Sequence, residues 1–468
     1  MPDQNESLAK YVLLSVMCTS FTVPFIGSAI NLALPSMGEE FHANAIMISW
    51  VITAYLLSTA ALLLPLGHLA DILGRRKIYL WGTVSFALIS ATIGLTHSIM
   101  MVILWRVLQG MAAAMIFGTG MAMLTSVYPP QKRGKVLGLS TAATYTGLSM
   151  GPILGGFMNQ HLGWRSIFYV TALVALLAFT IMAKKVSGEW AGAREEGFDW
   201  KGSLVYILGL STIIYGFSSL SEVSWAKFAA LAGIVLLLIF FWLEFRAKHP
   251  ILQAGLFKNN PSFTFSNLAA LINYSATFAL TFLLSLYLQV VSVYSSQQAG
   301  LILLVQPVMM ALCSPLSGSL SDRIEPRIVA SLGMSLSTLS LFGFIFLRPG
   351  FPIWALIGLQ VVIGVGFGLF TSPNTNAVMS SVQPRFYGVA SSTLGTMRLV
   401  GQAISMAIVT MIIAMHLGQG RLVASNAPNL VAAMRTSFII FTVLCLLGVF
   451  ASLARGQLRP TSATSTDN

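Results

Sequence analysis

The chain has 468 residues, 56% hydrophobic and 9% charged, with a mean hydropathy of +0.81 and a formal net charge of +12. Soluble domains carry about 25% charged residues, so this composition cannot cover a water-facing surface and excludes an ordinary soluble globular protein. The basic excess does not signal nucleic acid, because Lys and Arg sit in short clusters between apolar runs, the pattern of a polytopic membrane protein.

The first apolar run, Tyr11 to Leu34, is too long for a signal-peptide core, follows Asp3 and Glu6, and lacks an A-x-A cleavage site. It reads as an uncleaved spanning helix. Crossing the hydrocarbon takes about 20 apolar residues in a helix that satisfies its own backbone. On that rule, spans are expected near 11–34, 45–66, 78–96, 99–123, 135–158, 165–183, 202–219 and 226–244. Six more follow near 263–290, 297–319, 328–347, 353–379, 388–415 and 435–454. The expected fold is therefore an all-α integral membrane protein with fourteen transmembrane helices.

An even count puts both termini on one side. Nineteen Lys and Arg fall in the tails and in the loops on that side, among them Arg75, Arg76, Lys77, Lys132, Arg133 and Lys135. Five fall on the other side (Arg165, Lys227, Arg348, Arg421, Arg435), and Arg106 and Arg398 lie within spans. The bias predicts cytoplasmic termini in a multi-pass protein of the cell membrane.

Gly67-His68-Leu69-Ala70-Asp71 ends the second span and is followed by Gly74, Arg75, Arg76 and Lys77. Gly318 to Asp322 and Arg323 end the tenth in the same way. The repeat implies two six-helix lobes with an inserted two-helix hairpin, a plan used by transporters with a site between the halves. The expected division is 1–185 for the first lobe, 186–258 for linker and hairpin, 259–456 for the second lobe and 457–468 for a cytoplasmic tail. Cys18, Cys313 and Cys445 are isolated in apolar stretches, so no metal site, disulfide or cofactor is expected. No catalytic residues are expected either.

Beyond Gly67–Lys77, ordered motifs run through the chain: Trp105-Arg106-Val107-Leu108-Gln109-Gly110, then Gly147, Gly151, Pro152, Gly155 and Gly156. Trp50 to Leu56, Ser372-Pro373-Asn374 and Met397-Arg398 with Gly401-Gln402 complete the set. Together they resemble the major facilitator superfamily, in particular its fourteen-span drug:proton antiporter branch, over essentially the whole chain. The resemblance implies alternating access, multidrug-type efflux, protons as partner and outer closure controlled by the Gly147–Gly156 motif. It also implies coupling or substrate handling by Arg106.

Physically, Asp71 with Gly67, Gly74, Arg75 and Arg76, echoed by Asp322 and Arg323, fits either a conformational latch or a topology anchor. Gly147, Gly151 and Gly155 recur on one helix face, which lets a neighbouring backbone approach, and Pro152 bends the helix. Arg106 and Arg398 are intramembrane charges, functional by default or held structurally by carbonyls. Residues expected to line a central cavity are Asn31, Tyr55, Gln109, Tyr145, Asn273, Tyr274, Gln289, Gln306, Asn374 and Gln402.

One departure bears on substrate. Cation exporters of the resembled branch usually carry a first-helix aspartate where this chain has Ile26. All 14 acidic residues lie in tails, loops or span ends. A cavity whose full charges are Arg106 and Arg398 should favour neutral or anionic solutes, and proton coupling would fall to Asp71, Glu222 or a histidine such as His68. The expected function is proton-coupled export of small amphiphilic molecules by a monomer in the lipid bilayer. An organic-anion facilitator or importer without proton coupling is the alternative, and a transporter-like sensor a more distant one.

Overall fold

The computed structural model describes residues 2–220, 223–258, 260–321, 323–383, 387–418, 420, 422 and 424–456. Among these the chain is helical, with no strand. The first eight helices are α1 (Pro2–Glu40), α2 (Ala45–Leu73), α3 (Arg75–Ile93), α4 (Ile99–Val127), α5 (Pro130–His161), α6 (Arg165–Lys185), α7 (Trp200–Ser218) and α8 (Ala226–Glu244). The rest are α9 (Pro261–Thr277), α10 (Leu280–Leu286), α11 (Ser296–Leu303), α12 (Val305–Ser321), α13 (Pro326–Phe344), α14 (Ile353–Ser380), α15 (Tyr387–Leu417) and α16 (Ala427–Leu453). A π-helical stretch, Tyr287–Val291, prolongs α10.

Since α9 runs on through α10 and the π turn, and α11 through α12, the sixteen helices form fourteen rods. Eleven are long and apolar enough to cross a membrane. The three that fall short are α3, which opens on Arg75, Arg76 and Lys77; α5, rich in Gly, Ser and Thr; and α7, which carries Lys201. Each packs along a neighbour (α3 on α4 and α6, α5 on α1, α7 on α8).

Two groups of six rods use the same pairings. In the first, α1 packs on α5 and α6, α2 on α4, and α3 on α4 and α6. In the second, α9 packs on α15 and α16, α12 on α14, and α13 on α14 and α16. The groups meet where α2 lies against α15 and α5 against α11. The α7–α8 pair rests on α2 and α15 through α7. Tyr206 on α7 donates to the Ala60 carbonyl of α2 at 3.0 Å, and the Trp50 and Tyr215 rings lie 6.2 Å apart across the same contact.

Candidate functional site

The Gly67–Lys77 turn is built around a glycine. Gly74 sits at φ +116°, open to glycine and strained for other residues, so α2 stops and α3 starts with almost no loop. Such a start leaves backbone N–H groups without intrahelical partners. They are met by the linker 186–199: Arg75 N donates to the Trp190 carbonyl at 2.8 Å, and Arg76 N and Lys77 N donate to the two Glu189 carboxylate oxygens at 2.8 and 3.1 Å. The carboxylate at the α3 N-terminus is thus Glu189.

Asp71 instead accepts from Arg75 Nε at 2.6 Å, and its own carbonyl accepts from Ala193 N at 3.0 Å. Arg75 reaches on to Ser126 of α4 at 2.8 Å, and Arg76 to the last carbonyls of α6, Met182 and Ala183. Every one of these contacts stays within the first group of helices and its linker. Gly67 lets Gly118 of α4 pass close by. Arg323 is exposed; its presumed partner in the repeat, Asp322, and Glu222 of the hairpin turn lie outside the described residues. His68 lies 3.8 Å from Glu196, which also stands 3.5 Å from His249.

Arg106 is wholly buried. Its Nε donates to the Val51 carbonyl of α2 at 2.9 Å, its Nη1 to Gln109 Oε1 at 2.6 Å, and Gln109 Nε2 donates to Ser90 Oγ of α3 at 2.7 Å. The guanidinium carbon lies 4.1 Å from the centre of the Tyr55 ring. Arg106, Gln109 and Tyr55 therefore bind α2, α3 and α4 together, against the expectation that they line the cavity. The Val51 carbonyl, the Gln109 amide oxygen and the ring take the place of water around part of the charge, while Arg106 Nη2 has no partner.

The glycine stretch of α5 does two jobs. A Cβ at Gly147, Gly151 or Gly155 would strike Phe21, Ser28 or Ala29, so one face lies directly on α1. A Cβ at Gly156 would strike the Ser296 carbonyl, and one at Gly300 the Pro152 carbonyl, so the adjoining face lies on α11 of the second group. Polar side chains bridge the same seam. Asn159 donates to Ser296 Oγ at 2.7 Å, Gln297 N to Gln160 Oε1 at 3.2 Å, and Ser285 Oγ to the Asn31 carbonyl at 2.6 Å. Gln289 belongs to this seam as well, accepting from Ser296 and donating to Ser285, each at 2.9 Å.

Near the middle of their helices, Tyr145 of α5, Ser314 of α12, Tyr274 of α9 and Arg398 of α15 converge from both groups. Tyr145 lies within electrostatic range of Tyr274 and Arg398, with Ser314 beside it. The Arg398 guanidinium carbon lies 5.2 Å from the centre of the Tyr274 ring. Phe367 of α14 packs edge-on to Tyr274 at 5.3 Å between centroids. Arg398 Nε has no partner, and neither do the Asn273 amide atoms or Asn374 Oδ1 nearby in sequence on α9 and α14. Gln306 and Gln402 are half-buried. Ile26, at the position of the missing aspartate, is fully buried.

The family model described as Major Facilitator Superfamily matches residues 16–292 and 266–468. The chain belongs to that superfamily. It is 27% identical over 445 residues to the riboflavin transporter RibZ of Clostridioides difficile, covering 95% of this chain and 97% of that one. It is 29% identical to the multidrug resistance protein Stp of Mycobacterium tuberculosis, covering 82% of this chain and 72% of the other. A bacterial homologue of the human lysosomal transporter Spinster, solved inward-facing and unoccupied, superposes with a TM-score of 0.70 at 16% identity, over 96% of this chain and 97% of that chain. At that identity the likeness shows the fold. This superfamily member is a multi-pass membrane transporter, and its relatives include proteins named for drug resistance.

Sequence reasoning missed Glu189, Asn159 and Ser314. Glu189 is one of several acidic residues in its linker, and nothing in its neighbours marks it as a helix cap. Asn159 carried a usable signal: it lies one turn beyond Gly155 and Gly156 on the same helix.

Proposed function

We propose that the chain is a secondary transporter that exports small amphiphilic organic molecules, neutral or anionic before cationic, by alternating access and with proton antiport. The observation that carries the charge class is Arg398. It stands in a cluster to which α5, α9, α12 and α15 contribute, with an unpartnered Nε and the Tyr274 ring beside it. A partly desolvated guanidinium without a carboxylate partner attracts a carboxylate, phenolate or carbonyl and repels cations. Tyr145, Tyr274 and Phe367 offer flat apolar faces for an aromatic substrate.

On this reading all fourteen rods cross the membrane, with the termini and the Gly67–Lys77 turn cytoplasmic. Residues 1–185 and 259–456 are the two lobes, and 186–258 the linker and hairpin. The bonded seam at Asn31, Asn159, Gln289 and Ser296 is then the closed outer gate of an inward-facing state. Gly147–Gly156 serves both lobe packing and that gate, while the Asp71–Arg75 turn serves as the inner latch. Export is supported by the drug-resistance relatives such as Stp. A facilitator without proton coupling is the second reading, favoured by Ile26 and by the lack of any carboxylate in the central cluster.

The test is proton movement in inverted vesicles challenged with matched cationic, neutral and anionic amphiphiles, comparing the parent with Arg398→Gln. Substrate-driven collapse of an imposed pH gradient, with anionic responses lost in Arg398→Gln, is expected. Substrate flux with no proton movement would overturn antiport in favour of the facilitator.

A further inference from the structure

We infer that Asp199 and Glu244 form a proton-binding site at the base of the α7–α8 hairpin, holding one proton between their carboxyl groups. Asp199 caps α7: its Oδ1 accepts from Gly202 N at 2.9 Å. Glu244 ends α8, is 3% exposed, and its Oε2 accepts from Leu252 N at 2.8 Å. That leaves Asp199 Oδ2 and Glu244 Oε1, both buried and neither with a donor.

Those two oxygens crowd one point. A Cβ on Gly202 would lie 2.7 Å from Glu244 Oε1 and strike Asp199 Oδ2, so the two carboxyl groups face each other over Gly202. Of the charged groups around the pair, Asp199 alone acts on Glu244, the other contacts being the backbone N–H groups of Leu252 and Ile251. His68 and His249 are turned to Glu196, Arg246 lies over the Trp242 ring, and Lys201 and Lys248 are exposed. Two carboxylate oxygens buried over the same glycine, with no cation between them, repel unless one carboxyl takes a proton. One proton turns the repulsion into a hydrogen bond and satisfies both bare oxygens at once.

The site clasps two linkers. Asp199 ends the segment that caps α3 through Glu189, and Glu244 ties down the 245–258 segment that leads to α9 and Tyr274. Loss of the proton leaves two like charges to part, loosening the α7 cap and the Leu252 tie together. The hairpin then moves against α2 and α15, which α7 touches. That consequence for transport rests on the function proposed above; occupancy by a proton does not.

Infrared difference spectroscopy of the full chain in liposomes, titrated over about pH 5 to 9, where exposed carboxyls stay ionised, reads the proton directly. A protonated-carboxyl carbonyl band is expected in the parent at the acid end, fading as pH rises. It should be absent from both Glu244→Gln and Asp199→Asn, with the helical amide band unchanged as proof of folding. Should one variant not fold, the other carries the comparison. A parent without the band, a band that survives in either folded variant, or a carboxylate signal that instead follows sodium concentration overturns the site. A flat transport pH profile with the band present would count against the coupling reading alone.

Discussion

Asn159 on α5 and Ser296 on α11 are joined by a hydrogen bond of 2.7 Å, which ties one group of six helices to the other. From Ser296 the bonding continues through Gln289 and Ser285 to the Asn31 carbonyl, returning to α1. The chain of bonds uses neutral groups throughout, each worth about 1 kcal/mol net, so the seam can hold and still be broken in a transport cycle. Strain lies beside it. Val293, a β-branched residue, has φ +57°, directly after the π-helical turn Tyr287–Val291. Such a conformation costs about 1–3 kcal/mol.

Replacing Asn159 by Leu removes the donor while keeping bulk. Amide exchange over residues 287–296 is expected to quicken about fivefold, the equivalent of about 1 kcal/mol, with residues 330–344 unchanged. Equal exchange in parent and variant would mean that backbone packing at Gly156 and Gly300 holds the seam without the side chains.

Glu189→Ala should lower the thermal midpoint of the purified protein, since two N–H groups of α3 and its positive helix end lose their carboxylate. The expected loss is about 1 kcal/mol. The exposed neighbour Glu195→Ala is the comparison and should change little. A Glu189→Ala midpoint no lower than that of Glu195→Ala would show that the linker re-forms the cap from another group.

Arg106 and Arg398 should part company under mutation. Arg106→Met removes a buried charge bonded to Val51 and Gln109 and is expected to cost about 2–3 kcal/mol of stability, with substrate charge preference retained in the surviving protein. Arg398→Gln should change charge preference with little loss of stability. Competition assays on both variants, alongside melting curves, decide this; a shifted charge preference in folded Arg106→Met would return that residue to the substrate path.

Helix number and order were legible in the sequence because the bilayer demands long apolar runs and every backbone group must be met within its own helix. The near-loopless turn at Gly74 and the close-packing glycines of α5 were legible too, since only glycine tolerates φ +116° there or allows α1 to approach at Gly151. Spans were also expected on the apolar-run rule near 78–96, 135–158 and 202–219; α3, α5 and α7 there are helices of at least 19 residues but fall short of a membrane-crossing apolar run.

What the sequence by itself determined is the medium, the helices and their ends: composition excludes water as the main solvent, and glycine and proline mark where backbones must turn or touch. Only the tertiary structure decided which polar groups find each other. Arg106 and Arg398 look alike as charges in apolar runs, yet Arg106 bonds the Val51 carbonyl and Gln109 inside the α2–α4 contact, while Arg398, in the second group of helices, lies over the Tyr274 ring. Likewise Asp199 and Glu244 are distant in sequence and meet over Gly202. Hydropathy and spacing are properties of one helix, but the partner that satisfies a buried charge comes from another, and no pattern along a single chain segment names it.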